Sequence, residues 1–243
     1  MDFALSEDQL ELKQAAHAWL ADRFPLDRNW EQQDDRWSEL QELGWLDVAE
    51  AGLGFVEEAL LLEEMGYVCY PGFYLGHIGP VSAEGEVATV DPSRRLHTVE
   101  ETPRIRAAAA AEALGVAQRA LDLGVEHAKT REQFGKPIGT YQAVSHPLAQ
   151  TYTDVELARS LVYWAAWCVA EDDERAPVAA AAAKGFTTEA AVAACERSIQ
   201  VHGGIGFTWE HPLHRFYKRA QWLEGFGARP PALRLEIATA LLA

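Results

Sequence analysis

The chain has 243 residues, 49% of them hydrophobic and 24% charged. That is enough apolar material for a real core, so compositional disorder is excluded, and the length allows one large domain or two small ones. Lys and Arg number 21 against 37 Asp and Glu, a formal charge of −16, which is the wrong sign for a general nucleic-acid binder or for an anionic membrane surface.

An anionic ligand would therefore need a local basic cluster working against the overall field. The three cysteines, Cys69, Cys168 and Cys195, form no C-x-x-C pair. Their number and spacing argue against a disulfide framework or a cysteine metal site and fit a reducing cytosol. No signal-peptide pattern and no run of about 18 apolar residues is visible, so the expected location is the cytoplasm.

Ser6-Glu7-Asp8-Gln9 reads as a capping box. Leu12, Ala15, Ala16, Trp19 and Leu20 then follow the stripe of an amphipathic helix that stops at Pro25. A second helix is expected from Asp34 to Leu43, and a third from Gly54 to Met65 with Gly66 at its C′ position. In the third, Phe55, Leu60, Leu61 and Leu62 form the apolar face, and Glu57, Glu58, Glu63 and Glu64 the polar one. Residues 71–103 are rich in Gly and Pro, and two short runs, Val87 to Val90 and Leu96 to Val99, suggest a small hairpin about Asp91-Pro92-Ser93.

Helical periodicity resumes at Arg104, with Leu114, Ala117, Leu121, Val125 and Ala128 on one face, and Pro137 and Gly139 interrupt it. Further helices are expected from Tyr141 to Glu171, from Pro177 to His202, from Pro212 to Leu223, and from Pro230 onward. Trp164 and Trp167 on the longest of these suit either bundle core or a subunit contact. The fold class is mainly α: a helical N-terminal part (1–70), a turn-rich bridge (71–103) and a C-terminal helical bundle (104–243).

Several chemistries drop out. There is no G-x-S-x-G elbow, and Gly203-Gly204-Ile205-Gly206 follows a helix and lacks the third glycine of a dinucleotide fingerprint, Trp209 standing there. His211 and His214 flank Pro212 at i, i+3, a poor match to a metal motif. Two segments carry more. Arg131 to Pro137 is a cationic turn at a helix end, suited to a phosphate or simply to the helix dipole. Gln200 to Phe207 contains glycines that let a ligand approach the backbone, or that merely cap a helix.

Together, in this order, the two segments resemble the acyl-CoA dehydrogenase family. The shared blocks are R-x-Q-F-G-K-P-I at 131–138, Tyr141-Gln142-Ala143-Val144, Gln200-Val201-His202-Gly203-Gly204, and the run from His211 to Ala220. The match is close over about 104–225 and looser over 3–70, and Val90 to Leu96 looks like the closing strands of that family's middle β domain. The resemblance implies α,β-dehydrogenation of an acyl-CoA thioester, a carboxylate taking the α-proton while the β-hydride passes to FAD. It also implies an FAD site shared across a subunit interface. Arg131, Gln133, Phe134, Gln200, Gly203 and Gly204 would contact the ADP half of an FAD seated on a partner.

The sequence departs from the family in two places. Most of the middle β domain, which cradles the flavin ring, has no counterpart in 71–103. The family's catalytic glutamate aligns with Gly227, which cannot abstract a proton. A local realignment would promote Glu224, and the alternative base position falls on Ile105; Glu101 and Glu112 lie nearby but out of register. The pattern resembles the non-catalytic subunit of heteromeric enzymes of this family, such as the actinobacterial steroid-degrading ones, whose expected partner is a full-length paralogue in a heterotetramer. Two other readings stay open. One is a stand-alone homo-oligomer that uses Glu224 or runs a flavin-free dehydration or cyclisation. The other is a scaffold that binds no nucleotide.

Overall fold

In the computed structural model, residues 5–26, 35–48, 51–72, 74–78, 81–82, 98–99 and 101–242 are described. Helix α1 spans Glu7–Arg23 and opens on the expected capping box, the Ser6 hydroxyl accepting from the Gln9 amide and the Gln9 side chain from the Ser6 amide. Then come α2 (Trp37–Glu42), α3 (Phe55–Val68) and the short α4 (Leu75–Ile78). The expected start of α2 at Asp34 lies outside the described residues.

Strands β1 (Val81–Ser82) and β2 (Thr98–Val99) pair antiparallel. Residues 83–97, with Val87 to Val90 and the Asp91-Pro92-Ser93 turn of the expected hairpin, lie outside the described residues. The remainder is α5 (Pro103–Thr130), β3 (Glu132–Gln133), β4 (Lys136–Pro137), α6 (Gln142–Ala170), α7 (Ala176–His202), α8 (Leu213–Gly225) and α9 (Pro230–Leu242). None of the described helices is long and apolar enough to cross a membrane.

The centre of the fold is the pair α5 and α7, with α6 against both, α3 on α5, α1 on α3, and α8 and α9 on α7. Alanines at 107–111 and 179–181 are buried on the central helices, so small side chains let these backbones run close together. Trp164 and Trp167 pack half-buried against this core.

Gly66 is not a C-terminal cap. It lies inside α3, which continues to Val68 and is capped by Cys69 at φ 53°. A β-carbon on Gly66 would stand 2.0 Å from the Glu112 carbonyl, and one on Gly115 of α5 1.8 Å from the Glu63 carbonyl. The two glycines are there because α3 and α5 cross backbone to backbone.

The polar face expected of α3 is also revised. Glu58, Glu63 and Glu64 are buried, each against a basic group from another element. Arg104 binds Glu58, Lys13 (2.7 Å) and Arg159 bind Glu63, and His17 (2.7 Å) binds Glu64. A buried carboxylate without such a partner would cost several kcal/mol, on the order of 3–5. Helical periodicity misreads these residues because α3 is enclosed on more than one side and its charges are neutralised by distant parts of the chain.

Candidate functional site

The first segment begins where α5 ends. The Arg131 amide donates to the His127 carbonyl (2.8 Å), and the Ile138 amide to the Arg131 carbonyl (2.8 Å). Between these bonds, β3 and β4 pair Glu132 with Pro137 and Gln133 with Lys136. Phe134 and Gly135 are the two turn residues, both at positive φ, 54° and 79°. That is the backbone of a tight two-residue hairpin of the I′ kind, which glycine accepts freely and phenylalanine does not.

Phe134 is held there 92% exposed, its ring edge-on to Tyr141 at 6.4 Å, while Lys136 lies 4.4 Å over the same Tyr141 ring. The Tyr141 hydroxyl donates to the Gln133 carbonyl (3.1 Å). Arg131 and Gln133 are exposed as well. The hairpin thus presents a guanidinium, an amide and an aromatic ring outward from a braced turn.

The second segment caps α7. Gly203 takes φ 64° and its amide bonds back to Gln200 and Ile199. A β-carbon on Gly203 or Gly204 would meet nothing within 4 Å, so the backbone at this helix end is open to a ligand. Gln200 is exposed, as are Ile205, Phe207 and Trp209.

The two segments lie at the same end of the bundle, joined by imidazoles. His127, one turn before Arg131, stacks on His202, the residue before Gly203, with centroids 4.3 Å apart at 29°. His211 lies 4.3 Å from His202 on its own account. The His202 ring sits 2.8 Å from the Ser198 carbonyl through Nδ1, which assigns the proton to that nitrogen. His211 and His214 do not converge: His214 is edge-on to Trp209 instead. The sequence reading found both turns and missed this contact, which brings together residues 75 positions apart.

The region that the resemblance aligns with the family's base is built differently. Gly227 takes φ 61°, and a β-carbon there would stand 2.7 Å from the Glu101 carboxyl group. Glu101 is out of register in the sequence, yet the fold brings its carboxyl group against Gly227, the position that the resemblance aligns with the family's base.

The Glu101 carboxylate is fully engaged. The Ala228 amide donates to both of its oxygens at 2.9 Å, Lys184 reaches it at 3.2 Å and Arg106 at 3.1 Å. Burial pushes its pKa up, but the Ala228 amide, Lys184 and Arg106 outweigh that and hold it below the usual carboxylate range. Such a group is a weak base.

Lys184 is 1% exposed and also donates to the carbonyls of Phe226 and Ala228 (2.8 Å). Its burial lowers its pKa. A lone lysine in the alanine run of α7 was the available signal for this lock. Glu224 lies half-buried in the last turn of α8, Ile105 is fully buried, and Glu112 is buried against Arg219.

Comparison with known proteins agrees with this architecture. The family model for the acyl-CoA dehydrogenase C-terminal domain matches residues 99–230, and that for the N-terminal domain matches residues 6–88. Acyl-CoA dehydrogenase IpdE2 of Mycobacterium tuberculosis is 44% identical over 146 residues, 55% of this chain and 44% of that protein. Acyl-CoA dehydrogenase FadE34 of the same organism is 48% identical over 118 residues, 48% of this chain and 17% of that one.

The chain thus spans less than half the length of these curated relatives. Among solved structures, the Tcur3481-Tcur3483 steroid ACAD G363A variant superposes with a TM-score of 0.82 at 22% identity, covering 97% of this chain and 98% of that one. The ChsE4-ChsE5 complex from Mycobacterium tuberculosis gives 0.79 at 22% identity, covering 100% and 99%. At that identity the superpositions speak for the fold. The chain belongs to the acyl-CoA dehydrogenase family.

Proposed function

We propose that this acyl-CoA dehydrogenase family member is the non-catalytic subunit of a heteromeric, FAD-dependent enzyme acting on an acyl-CoA thioester. It supplies the ADP side of the FAD site. A full-length paralogue supplies the flavin cradle and the base, and the expected assembly is a heterotetramer. In this division 1–70 and 104–243 are the retained helical domains, and 71–103 is the remnant of the middle one.

One contrast carries the proposal. Arg131, Gln133, Phe134, Gln200, Gly203 and Gly204 face outward from an open, braced surface, whereas the family's base position is Gly227, closed off by the Glu101 carboxylate. The exposed set fits the ADP half of FAD: Arg131 suits a diphosphate, Gln133 and Gln200 suit polar edges, and no β-carbon blocks the helix end at Gly203 and Gly204. When bound, FAD accepts the hydride lost from the acyl β-carbon. This chain's residues would hold and orient the cofactor and transfer no proton. The likeness to a chain of the ChsE4-ChsE5 complex supports the heteromeric arrangement.

The test is co-expression with a full-length paralogue. The complex should be yellow, with about one FAD per unlike pair, while the chain alone purifies colourless. Arg131→Ala in the complex should lower FAD retention. Turnover by the isolated chain, abolished by Glu224→Gln, would overturn the proposal. So would partner binding indifferent to both Arg131→Ala and Gly203→Ala with no FAD in the complex.

A further inference from the structure

The stacked imidazoles between the two turns have no place in the function proposed above. His127 is on α5, His202 on α7 and His211 in the loop before α8, so three elements meet through them. His127 lies four residues before Arg131, on the same face at the helix end. The surroundings of the array are cationic or neutral. From α5 it faces Arg131. From α7 it faces the Ser198 carbonyl, and from the start of α8 the Leu213 amide, 3.3 Å from His211. From α8 comes His214, edge-on to Trp209, which Lys218 covers at 4.1 Å. Among the described residues, no carboxylate acts on these three rings.

Burial lowers the pKa of all three. His202 and Arg131 lower His127 further, and neighbouring imidazoles bring His211 down to about 4. At neutral pH the stack is therefore uncharged. It has the geometry of a pin between two turns.

Resting on the nucleotide reading above, we propose that the His127–His202–His211 array is the proton-linked element of the ADP site. Uncharged, it holds the Arg131 and Gly203 turns in register, and it takes up a proton when a diphosphate docks against Arg131. A negative charge placed within a few ångströms favours an imidazolium. Linkage then requires affinity for the diphosphate to rise as pH falls. The step is a proton transfer from solvent to an imidazole ring, with no other bond made or broken.

The probe is ADP-ribose, whose diphosphate diester does not titrate near neutrality, added to the full chain. Isothermal titration in two buffers of different ionisation enthalpy should show proton uptake. Affinity should rise roughly three- to tenfold between about pH 8 and about pH 6. His127→Phe keeps a stacking ring without a titrating nitrogen. It should bind as the parent does at about pH 8 and lose most of the slope. Should that variant fail to fold, His211→Asn should flatten the slope in part.

Binding without proton uptake overturns the proton link and leaves the nucleotide site standing. So does a slope unchanged in the folded variants. Absence of ADP-ribose binding at every pH by the folded chain overturns the proton link, whereas the nucleotide reading falls only if the co-expressed complex holds no FAD.

Discussion

The Glu101 carboxyl group lies 2.7 Å from where a β-carbon on Gly227 would stand. The position that the resemblance aligns with the family's base thus has a carboxylate from elsewhere in the chain against it, held by Ala228, Lys184 and Arg106. Gly227→Glu should accordingly fail to create dehydrogenase activity. It should also destabilise the chain by roughly 1–3 kcal/mol, because a side chain at φ 61° is strained and meets Glu101. Thermal melts and an acyl-CoA turnover assay check both halves.

Lys184→Met should be costly. Lys184 is buried and serves Glu101 and two carbonyls of the 226–228 turn. Removing it leaves a carboxylate and two acceptors short of a donor, on the order of 3 kcal/mol. Adding Glu101→Gln to Lys184→Met should recover part of the loss, since the half-buried charge goes too. Chemical denaturation of the two single variants and the double one measures the coupling.

Two glycine substitutions should separate packing from ligand contact. Gly115→Ala drives a methyl group to 1.8 Å from the Glu63 carbonyl, so α3 and α5 must part; a loss of about 2–4 kcal/mol follows. Gly204→Ala meets nothing within 4 Å and should cost less than about 1 kcal/mol. In the proposed complex it should nevertheless weaken FAD retention. Equal loss of stability in both would contradict the difference in their surroundings.

Stability should fall as pH drops from about 6.5 toward 4. His211 has its pKa lowered to about 4 by burial and by its neighbouring imidazoles, against 6.5 in the unfolded chain. Between those values the unfolded state binds more protons, so acid favours unfolding, and the contribution is whole only above about 6.5. His127 and His202 act in the same direction. Denaturation midpoints across that range should decline less steeply in His211→Asn.

Much of the architecture was legible in the residues. The capping box at Ser6, the long apolar stripe of α5 and the prolines at 177, 212 and 230 mark helices that the structure contains. These signals are local, since caps, breakers and periodicity act within a few residues of the chain. The turns at Arg131 and Gly203 were visible for the same reason.

The missed features are those whose partners are remote in sequence. Glu58, Glu63 and Glu64 look like a solvated face until Arg104, Arg159, Lys13 and His17 arrive from other helices. Gly66 looks like a cap until the Glu112 backbone is found against it.

The sequence by itself determined a helical chain with a core, a net charge hostile to anions and a cationic turn able to oppose it. The tertiary structure alone decided that this turn shares a surface with the Gly203 helix end through stacked imidazoles. It alone decided that Glu101 fills the space beside Gly227. A carboxylate in such a space is held by charges from α5 and α7 and by an amide of the loop after α8, and only the packing of those elements brings them within hydrogen-bonding distance.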